Sequence, residues 1–279
     1  MLIKLHMKKN NINSSNYPYN SSRLININNE AFVIGGKRNN NINNLGANLC
    51  IKISYINNNK YGGLGEIKCK FMKNTNFEHH SHSALYSKLY NIIFVLSGYN
   101  QDRCEYGKLN NKGEIDKWEE MPPLEKPREE SINFILNERF IYLLGGVKVR
   151  DNIDDSYDVF DITTIFGNAL PKWKQISVKT DQYSKYLFET VGSGIVELSN
   201  KIYILGGYIY EKEEFMVWKI SFNEGFISNI ENIKTNHTFK KKKHLSFLGQ
   251  QLFMQYEDNY FNINLCGECE IFHRTFFNK

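Results

Sequence analysis

Short apolar runs that stop at glycine recur along the chain and give the first prediction of its structure. The four runs are FIYLLGG, EAFVIGG, IIFVLSG and KIYILGG, which end at Gly146, Gly36, Gly98 and Gly207. Apolar runs of this length, bounded by turn-forming residues, are typical of buried β-strands. The sequence therefore predicts at least four buried strands, each followed by a glycine turn.

A longer pattern repeats around these runs. Aligned on the glycine pair without gaps, five copies begin at 17, 79, 127, 188 and 238 or 239. The starts are 62, 48, 61 and roughly 50 residues apart, which is the length of one propeller blade. In the fifth copy, Tyr256 and Glu257 stand where the glycines would be. The pattern predicts five sheet-forming repeats, of which the last is degenerate.

Each repeat contains four strand-like stretches. The first is a short alternation such as SINFIL, and the second is the run before the glycines. Third strands are predicted at 49–56, 103–109, 156–162, 215–222 and 260–265, and fourth strands at 65–72, 117–121, 172–178, 226–233 and 269–276. No stretch shows sustained helical periodicity with caps, so the chain is predicted to be all-β.

A family resemblance follows from these motifs. A glycine pair after an apolar strand, then a tyrosine, then a tryptophan before the next repeat resembles the kelch repeat; Tyr106 with Trp118 and Tyr157 with Trp173 occupy the two aromatic places. WEEMPPLEKPREESINFILNERFIYLLGG (118–146) is most similar to the repeats of kelch-like adaptor proteins. The first repeat lacks the tryptophan, the fourth has Trp218 in its third strand and Ile230 at the tryptophan place, and the fifth lacks the glycines. The resemblance implies a kelch-type β-propeller with five four-stranded blades, or six.

The resemblance also implies what the repeated residues do. The glycines allow backbone angles and close approaches that a Cβ would block. The tyrosine and tryptophan pack between blades, because each large ring buries apolar area and still offers a polar tip. Since one repeat cannot cover its own faces, each blade depends on its neighbours.

The repeats define one propeller domain over 17–279, preceded by an N-terminal extension over 1–16. MLIKLHM alternates apolar Ile3, Leu5 and Met7 with polar residues, as a half-buried strand does. We expect it either to pair beside the last blade, which would help to close the ring, or to form an ordered stub.

Composition narrows the classes of partner. Hydrophobic content of 41% and charged content of 23% are values of a globular protein, and the net charge of +5 is mild. Such a charge favours solubility over nucleic-acid binding, and no apolar run is long enough to span a bilayer. The five cysteines are scattered without a dense framework, which is typical of reduced thiols in the cytoplasm. We expect a cytoplasmic protein without nucleic-acid or membrane partners.

Candidate binding residues come from the resemblance. In kelch-like adaptors, the loops after the glycine pairs and the segments that lead into each blade's first strand lie on one face, which holds partner peptides. The matching residues here are Lys37, Arg38, Asn39, Tyr99, Asn100, Gln101, Arg103, Arg128, Lys148, Arg150, Tyr208 and Tyr210. Converging arginines would favour an acidic segment through bidentate pairing with carboxylates or phosphate. Solvated loop residues are the simpler interpretation.

Three other clusters suggest metal or charge chemistry. His79, His80 and His82 have the spacing of a strand-borne metal site, although they fall where a chain leads into a blade, and we interpret them as loop residues. Cys266 and Cys269 with His273 form only half of a zinc site, and we interpret CGEC as a turn. The lysine run at 240–243 is typical of a solvated loop. We expect no metal and no cofactor.

Three function classes remain. The first is a non-catalytic interaction module or adaptor, and the second is a structural scaffold that uses the same rim. The third is a carbohydrate-active kelch enzyme of the sialic-acid epimerase or mutarotase type, for which Glu189, Glu197, Asp102 and Arg103 are the available acid–base and ionic groups. No motif selects those residues, and no nucleophile with its base is recognisable. We expect binding rather than catalysis, an expectation that rests on analogy.

Overall fold

A computed structural model of the chain shows its architecture. It describes residues 21–28, 30–37, 47–56, 66–146, 155–179, 184–190, 193–198, 201–205 and 216–233, together with three strands at 252–256, 259–263 and 269–273. Contacts divide the chain into two compact units, 1–81 and 82–279. Each unit is described by itself.

The first unit contains one four-stranded antiparallel sheet, blade 1, in the order β1-β2-β3-β4. Its strands are β1 (Arg23–Ile27), β2 (Glu30–Ile34), β3 (Cys50–Ile56) and β4 (Glu66–Phe71). Phe32, Ile34 and Cys50 are fully buried in this sheet. Lys52 pairs with Glu30 at 2.7 Å across the β2–β3 pair.

The second unit contains three more four-stranded antiparallel sheets, each in sequential order. Blade 2 has β5 (Ser83–Ser87), β6 (Ile92–Leu96), β7 (Cys104–Leu109) and β8 (Ile115–Met121). Blade 3 has β9 (Ile132–Leu136), β10 (Phe140–Leu144), β11 (Ser156–Asp161) and β12 (Trp173–Ser177). Blade 4 has β13 (Gly194–Leu198), β14 (Lys201–Leu205), β15 (Val217–Asn223) and β16 (Phe226–Ile233).

The fold is therefore all-β and of the β-propeller type, with four four-stranded antiparallel blades. The prediction of five four-stranded blades is corrected to four. In the described residues the fifth copy forms a three-stranded sheet of β17 (Leu252–Tyr256), β18 (Asn259–Ile263) and β19 (Cys269–His273). This is the copy whose sequence has lost the glycine pair. The extension 1–16, expected either to pair beside the last blade or to form an ordered stub, lies outside the described residues.

Strand pairing also corrects the gapless alignment. The hairpins between the first and second strands contain two residues in blade 1 (28 and 29), four in blade 2 (88–91) and three in blade 3 (137–139). Because these loops differ in length, the second strands stay in register with the glycines while the first strands shift. Sequence spacing alone does not reveal which hairpin holds the extra residue.

Blade 3 shows how the blades depend on one another. Alternate side chains of β10 point to opposite faces of the sheet, as in any strand. Tyr142 and Leu144 belong to a buried cluster with Trp218 of blade 4, whereas Ile141 and Leu143 belong to a cluster with the apolar residues of β6 in blade 2. A strand covered on both faces has no solvent-facing position, which explains its continuous apolar sequence.

The glycines after β10 are needed for the reasons predicted. Gly145 has φ 58° and Gly146 has φ 89°, which are angles that side chains disfavour. A Cβ on Gly146 would lie 2.4 Å from the carbonyl oxygen of Glu129, and one on Gly145 would lie 3.0 Å from that of Leu187. Both residues are therefore packed against backbone that leads into a first strand.

The aromatic residues of the repeat connect neighbouring blades, as predicted. Trp173 Nε1 donates to the carbonyl of Pro122 at 2.9 Å, which joins blade 3 to the chain leaving blade 2. Tyr157 Oη accepts a hydrogen bond from the Ile227 amide of blade 4 at 3.2 Å. Each ring is thus packed against another blade while its polar tip is satisfied.

Among the described residues, two short helical turns lie between strands. A 3₁₀ turn (Ile162–Ile165) follows β11, and a four-residue α-helix, α1 (Lys185–Phe188), lies in the segment that leads into blade 4. Both lack the length at which apolar periodicity becomes visible in a sequence. The part of the chain that the structure describes contains no helix suited to crossing a bilayer.

Candidate functional site

In blades 1 to 3, the residues after the second strand lie against the segment that leads into the next sheet. In the first unit, Gly36 N–H donates to the His79 carbonyl at 2.7 Å. In the second unit, Gly146 N–H donates to the Thr190 carbonyl at 3.3 Å. We use the name loop face for the surface that these two kinds of segment form within a unit. Sequence reasoning placed the candidate residues on these segments.

Blade 2 displays the best-described part of the loop face. Ser97, at φ 57°, occupies the place of the first glycine. Its amide donates to the Arg103 carbonyl at 3.0 Å, and its hydroxyl donates to the Gln101 carbonyl at 2.9 Å. The Gln101 side chain in turn accepts from the Arg103 amide at 3.2 Å. These bonds close the loop 97–103 on itself, so its shape is fixed before any partner arrives.

The same serine joins this loop to blade 3. Ser97 Oγ accepts a hydrogen bond from the Arg128 amide at 2.8 Å, and the Leu124 amide donates to the Asp102 carbonyl at 2.9 Å. The loop 97–103 and the leading segment 124–130 therefore lie side by side. Together the two segments form a continuous surface, which the hydrogen bonds between them hold in one arrangement.

Four predicted residues lie on this loop. Tyr99 is 36% exposed and Asn100 is exposed, whereas Gln101 is half-buried and holds the loop together. The side chain of Arg103 is half-exposed, and its guanidinium lies 4.0 Å from the Glu120 carboxylate. The loop thus exposes the ring of Tyr99, the amide of Asn100 and the guanidinium of Arg103, whose charge Glu120 offsets in part.

Arg128 is buried, whereas the family resemblance implied that it would be displayed on the binding face. It is 1% exposed. Its Nε donates to the Asp158 carboxylate at 2.5 Å, and its terminal nitrogens donate to the carbonyls of Gly145 and Ser156 at 3.2 Å. The arginine therefore fixes the leading segment of blade 3 to that blade's own third strand. Its guanidinium is not displayed on the surface of the described unit.

The remaining predicted residues follow the second strands of blades 1, 3 and 4. Lys37 is half-buried in the first unit, directly after the glycine pair of blade 1. The other six lie outside the described residues: Arg38, Asn39, Lys148, Arg150, Tyr208 and Tyr210. The convergence of basic residues on one face therefore stays a prediction.

Glu129 is a residue of the loop face that sequence reasoning missed. It is half-buried between Arg128 and Glu130, and its carbonyl lies against Gly146. Burial and the neighbouring charge of Glu130 raise the pKa of Glu129 to about 7. Its sequence neighbours Arg128 and Glu130 carry no signal of this burial, which depends on how the leading segment packs. A carboxyl that titrates near neutrality makes the local charge of the surface depend on pH.

The groups considered for an enzyme have separate surroundings. Asp102 and Arg103 belong to the loop of blade 2, and Glu189 lies at the end of α1, where it pairs with Lys185 at 3.8 Å. Glu197 lies in β13, where burial and then Glu138 raise its pKa. The described residues thus place these carboxylates on different elements with different neighbours, and they supply no positive support for acid–base chemistry.

The histidine cluster lies where a chain leads into a blade, as predicted, but all three side chains are buried. His79, His80 and His82 are 0%, 7% and 0% exposed. The His79 ring packs edge-on against Phe77, with the centroids 6.4 Å apart. Among the described residues, no three side chains of histidine, cysteine, aspartate or glutamate gather as they would around a metal ion. The side chains of the CGEC segment lie outside the description.

A scan against protein-family models finds no model that matches the chain. A search of curated proteins likewise finds no significant match. The functional argument therefore starts from the geometry of the loop face.

Proposed function

We propose that the chain is a kelch-type propeller that acts as a non-catalytic protein-interaction module. The observation that carries this proposal is the closed loop 97–103, which is hydrogen bonded internally and fixed to the leading segment of blade 3. Binding to a preformed surface avoids much of the entropy that a partner would lose in ordering a mobile loop. An adaptor and a scaffold both use such a surface.

The kelch assignment is supported by the positions of the repeated residues. The glycine pair after β10 lies where only small residues fit, and Tyr157 and Trp173 each bond to another blade. These four residues of one repeat support the roles that the family resemblance implies. The sequence departures in the first and fifth copies concern residues at the ends of the array.

The surface chemistry favours a protein partner. Tyrosine and arginine are enriched among residues that contribute most to protein interfaces, and Tyr99 and Arg103 are exposed on the same rigid loop. We propose that a partner packs on the Tyr99 ring and pairs an acidic group with Arg103, in competition with Glu120. The side chain of Arg103 is 51% exposed, which supports this pairing.

We further propose a reducing, cytoplasmic setting. The thiols of Cys50 and Cys104 are free and buried, and burial raises the pKa of each to about 12. Such thiols stay protonated and unreactive. Cys69 is free and exposed, which suits a compartment where disulfides are rare.

The test is quantitative affinity capture with three baits from cells that naturally produce the protein. The baits are the wild type, the double variant Tyr99→Ser/Arg103→Ser, and a control double variant Phe226→Ser/Lys174→Ser at exposed positions off the loop face. A partner recovered by the wild type and the control should bind the loop variant at least tenfold more weakly, which corresponds to ~1.4 kcal/mol. Equal recovery by all three baits would remove the proposal.

A second assay separates binding from catalysis. Purified wild-type protein is incubated with N-acetylneuraminic acid, and the exchange between its anomers is followed by NMR. We expect the uncatalysed rate. Acceleration that depends on Asp102, Glu189 or Glu197 would favour the carbohydrate-active enzyme instead.

A further inference from the structure

A second surface of the larger unit has the features of a binding site and lies away from the loop face. A cavity of about 520 Å³ opens between the β7–β8 hairpin of blade 2 and the turn that follows β11 in blade 3. Its size is within the usual range for ligand sites, ~300–1,000 Å³. We call it the outer groove. It lies at the Leu109 end of β7, whereas the loop 97–103 joins the Cys104 end, about 17 Å away along a six-residue strand.

An exposed aromatic ring forms one wall of the outer groove. Phe166 is 52% exposed, yet its ring stacks on Tyr90 with the centroids 5.0 Å apart and an angle of 20°. Its amide donates to the Thr163 carbonyl at 3.2 Å, and the preceding turn is capped by Asp161. A large apolar side chain is thus held in place at the surface, where a partner can pack against it with little ordering.

Apolar exposure continues beyond the cavity. Leu89 precedes Tyr90 in the chain and is 67% exposed, and Leu170 follows Phe166 by four residues and is 84% exposed. Leu89 is the chain neighbour of Tyr90, which stacks on Phe166, and exposed apolar groups beside such a ring often mark an interaction site. Leu89 and Leu170 do not line the cavity, so a ligand that also used them would extend beyond it, which favours a peptide segment over a small molecule.

The charges along the groove leave one cation uncommitted. Asp116 accepts hydrogen bonds from the Asn110 side chain at 3.1 and 3.2 Å, and Lys117 pairs with Glu119 at 2.5 Å. The exposed side chain of Lys108 forms no hydrogen bond or ion pair with the described residues. Asn110 is neutral and leaves the charge of Asp116 in place, so the groove is lined by two lysines and two carboxylates. An anionic group is therefore favoured only close to Lys108.

We propose that the outer groove binds an extended peptide in which an acidic residue stands close to a large apolar one. The apolar side chain packs on Phe166 and the neighbouring Tyr106, and the carboxylate pairs with Lys108. This site is separate from the loop face, so the protein would hold two partners, or two parts of one partner, at opposite ends of blade 2. Each contact is modest, because Lys108 is solvated and exposed ion pairs contribute little to affinity.

The test is selection from a displayed library of random heptapeptides on the intact protein. Binders selected on the wild type should be enriched in Asp or Glu within two or three positions of Leu, Ile, Phe or Trp. Synthetic copies of these peptides should lose about tenfold in affinity on Phe166→Ser and on Lys108→Glu. The same selection on Lys108→Glu should enrich Lys or Arg in place of the acid.

Matched controls keep the outcome decisive. Phe226→Ser removes a ring of similar exposure outside the groove, and Lys174→Glu reverses an exposed charge on β12; both should leave peptide affinity unchanged. Because all four substitutions are at exposed side chains, equal thermal melting is expected and is measured. The proposal is overturned by a failure to enrich any peptide class, by binders indifferent to residues 108 and 166, or by binders lost only on Tyr99→Ser/Arg103→Ser, which belong to the loop face.

Discussion

Blades 2 and 3 place different residues at the turn that follows the second strand. Ser97 and Gly145 each follow a buried second strand, with nearly equal φ values of 57° and 58°. Gly145 leaves room for three carbonyl groups of the segment leading into blade 4, which lie 3.0–3.1 Å from where a Cβ would stand. Ser97 accepts the strained angle and uses its hydroxyl to hold the segment leading into blade 3.

The difference follows from the segment on the other side. The chain leading into blade 4 contains α1, whose last carbonyls crowd Gly145. The chain leading into blade 3 contains no helix and presents the Arg128 amide as a donor instead. Where backbone carbonyls face the turn, a missing side chain is best, and where an amide faces it, a hydroxyl is useful. The first position after the second strand can therefore be glycine or serine, according to the backbone groups that it faces in the next leading segment.

The largest effect is expected when the leading segment of blade 3 loses its anchor. Arg128→Leu leaves the Asp158 carboxylate buried at 3% exposure without its cation, which should lower the free energy of unfolding by about 3–5 kcal/mol. Urea denaturation measures this. Arg139→Leu breaks an exposed ion pair with Asp161 and should change stability by less than about 1 kcal/mol. Equal effects of the two changes would contradict the anchoring role.

Gly146→Ala should have the next largest effect. The new Cβ meets the Glu129 carbonyl at 2.4 Å, and φ is 89°, so both a clash and backbone strain oppose the change. We expect a loss of about 3 kcal/mol. Gly167→Ala is the control, because its Cβ would have an ordinary nearest contact of 3.5 Å and stability should change by about 0.5 kcal/mol or less. A harmless alanine at 146 would show that the close approach is not required.

Substitutions of Ser97 test the comparison between the two blades directly. Ser97→Ala removes the hydroxyl bonds to Arg128 and Gln101 but keeps the strained angle, and should cost about 1–2 kcal/mol. Ser97→Gly loses the same bonds but relieves the strain, so it should be less destabilising than alanine. Denaturation curves of the two variants give the order. The opposite order would mean that the angle is not a source of strain at this site.

The smallest effect concerns pH. The pKa of Glu129 rises from 4.5 to about 7 in the folded chain, so the folded state holds a proton that the unfolded state has lost between those values. Stability from this group is fully present below pH 4.5 and is lost as the pH rises through 7. Glu129→Gln should remove this dependence, with a gain on the order of 1 kcal/mol at pH 8 after allowance for solvent screening. An unchanged pH profile of thermal melting would contradict it.

Most strand positions could be predicted because the repeat supplies several independent copies of one pattern. The fourth strand of blade 4 was predicted at 226–233 and is observed as Phe226–Ile233. The role of Arg128 could not be predicted, because its partner Asp158 lies 30 residues away and alternation does not show which polar residues meet. The burial of Glu129 and the display of Phe166 likewise depend on packing between blades. Local pattern determines strands, whereas the surface depends on contacts between distant segments.

The central claim is that the hydroxyl of Ser97 fixes the loop face by joining the loop 97–103 to the chain leading into blade 3. Amide hydrogen exchange of wild type and Ser97→Ala measures this most directly. We expect exchange at the Arg128 amide and across 98–103 to rise at least tenfold in the variant, while the Gly146 amide is unchanged. Equal protection of the loop in both proteins would contradict the account.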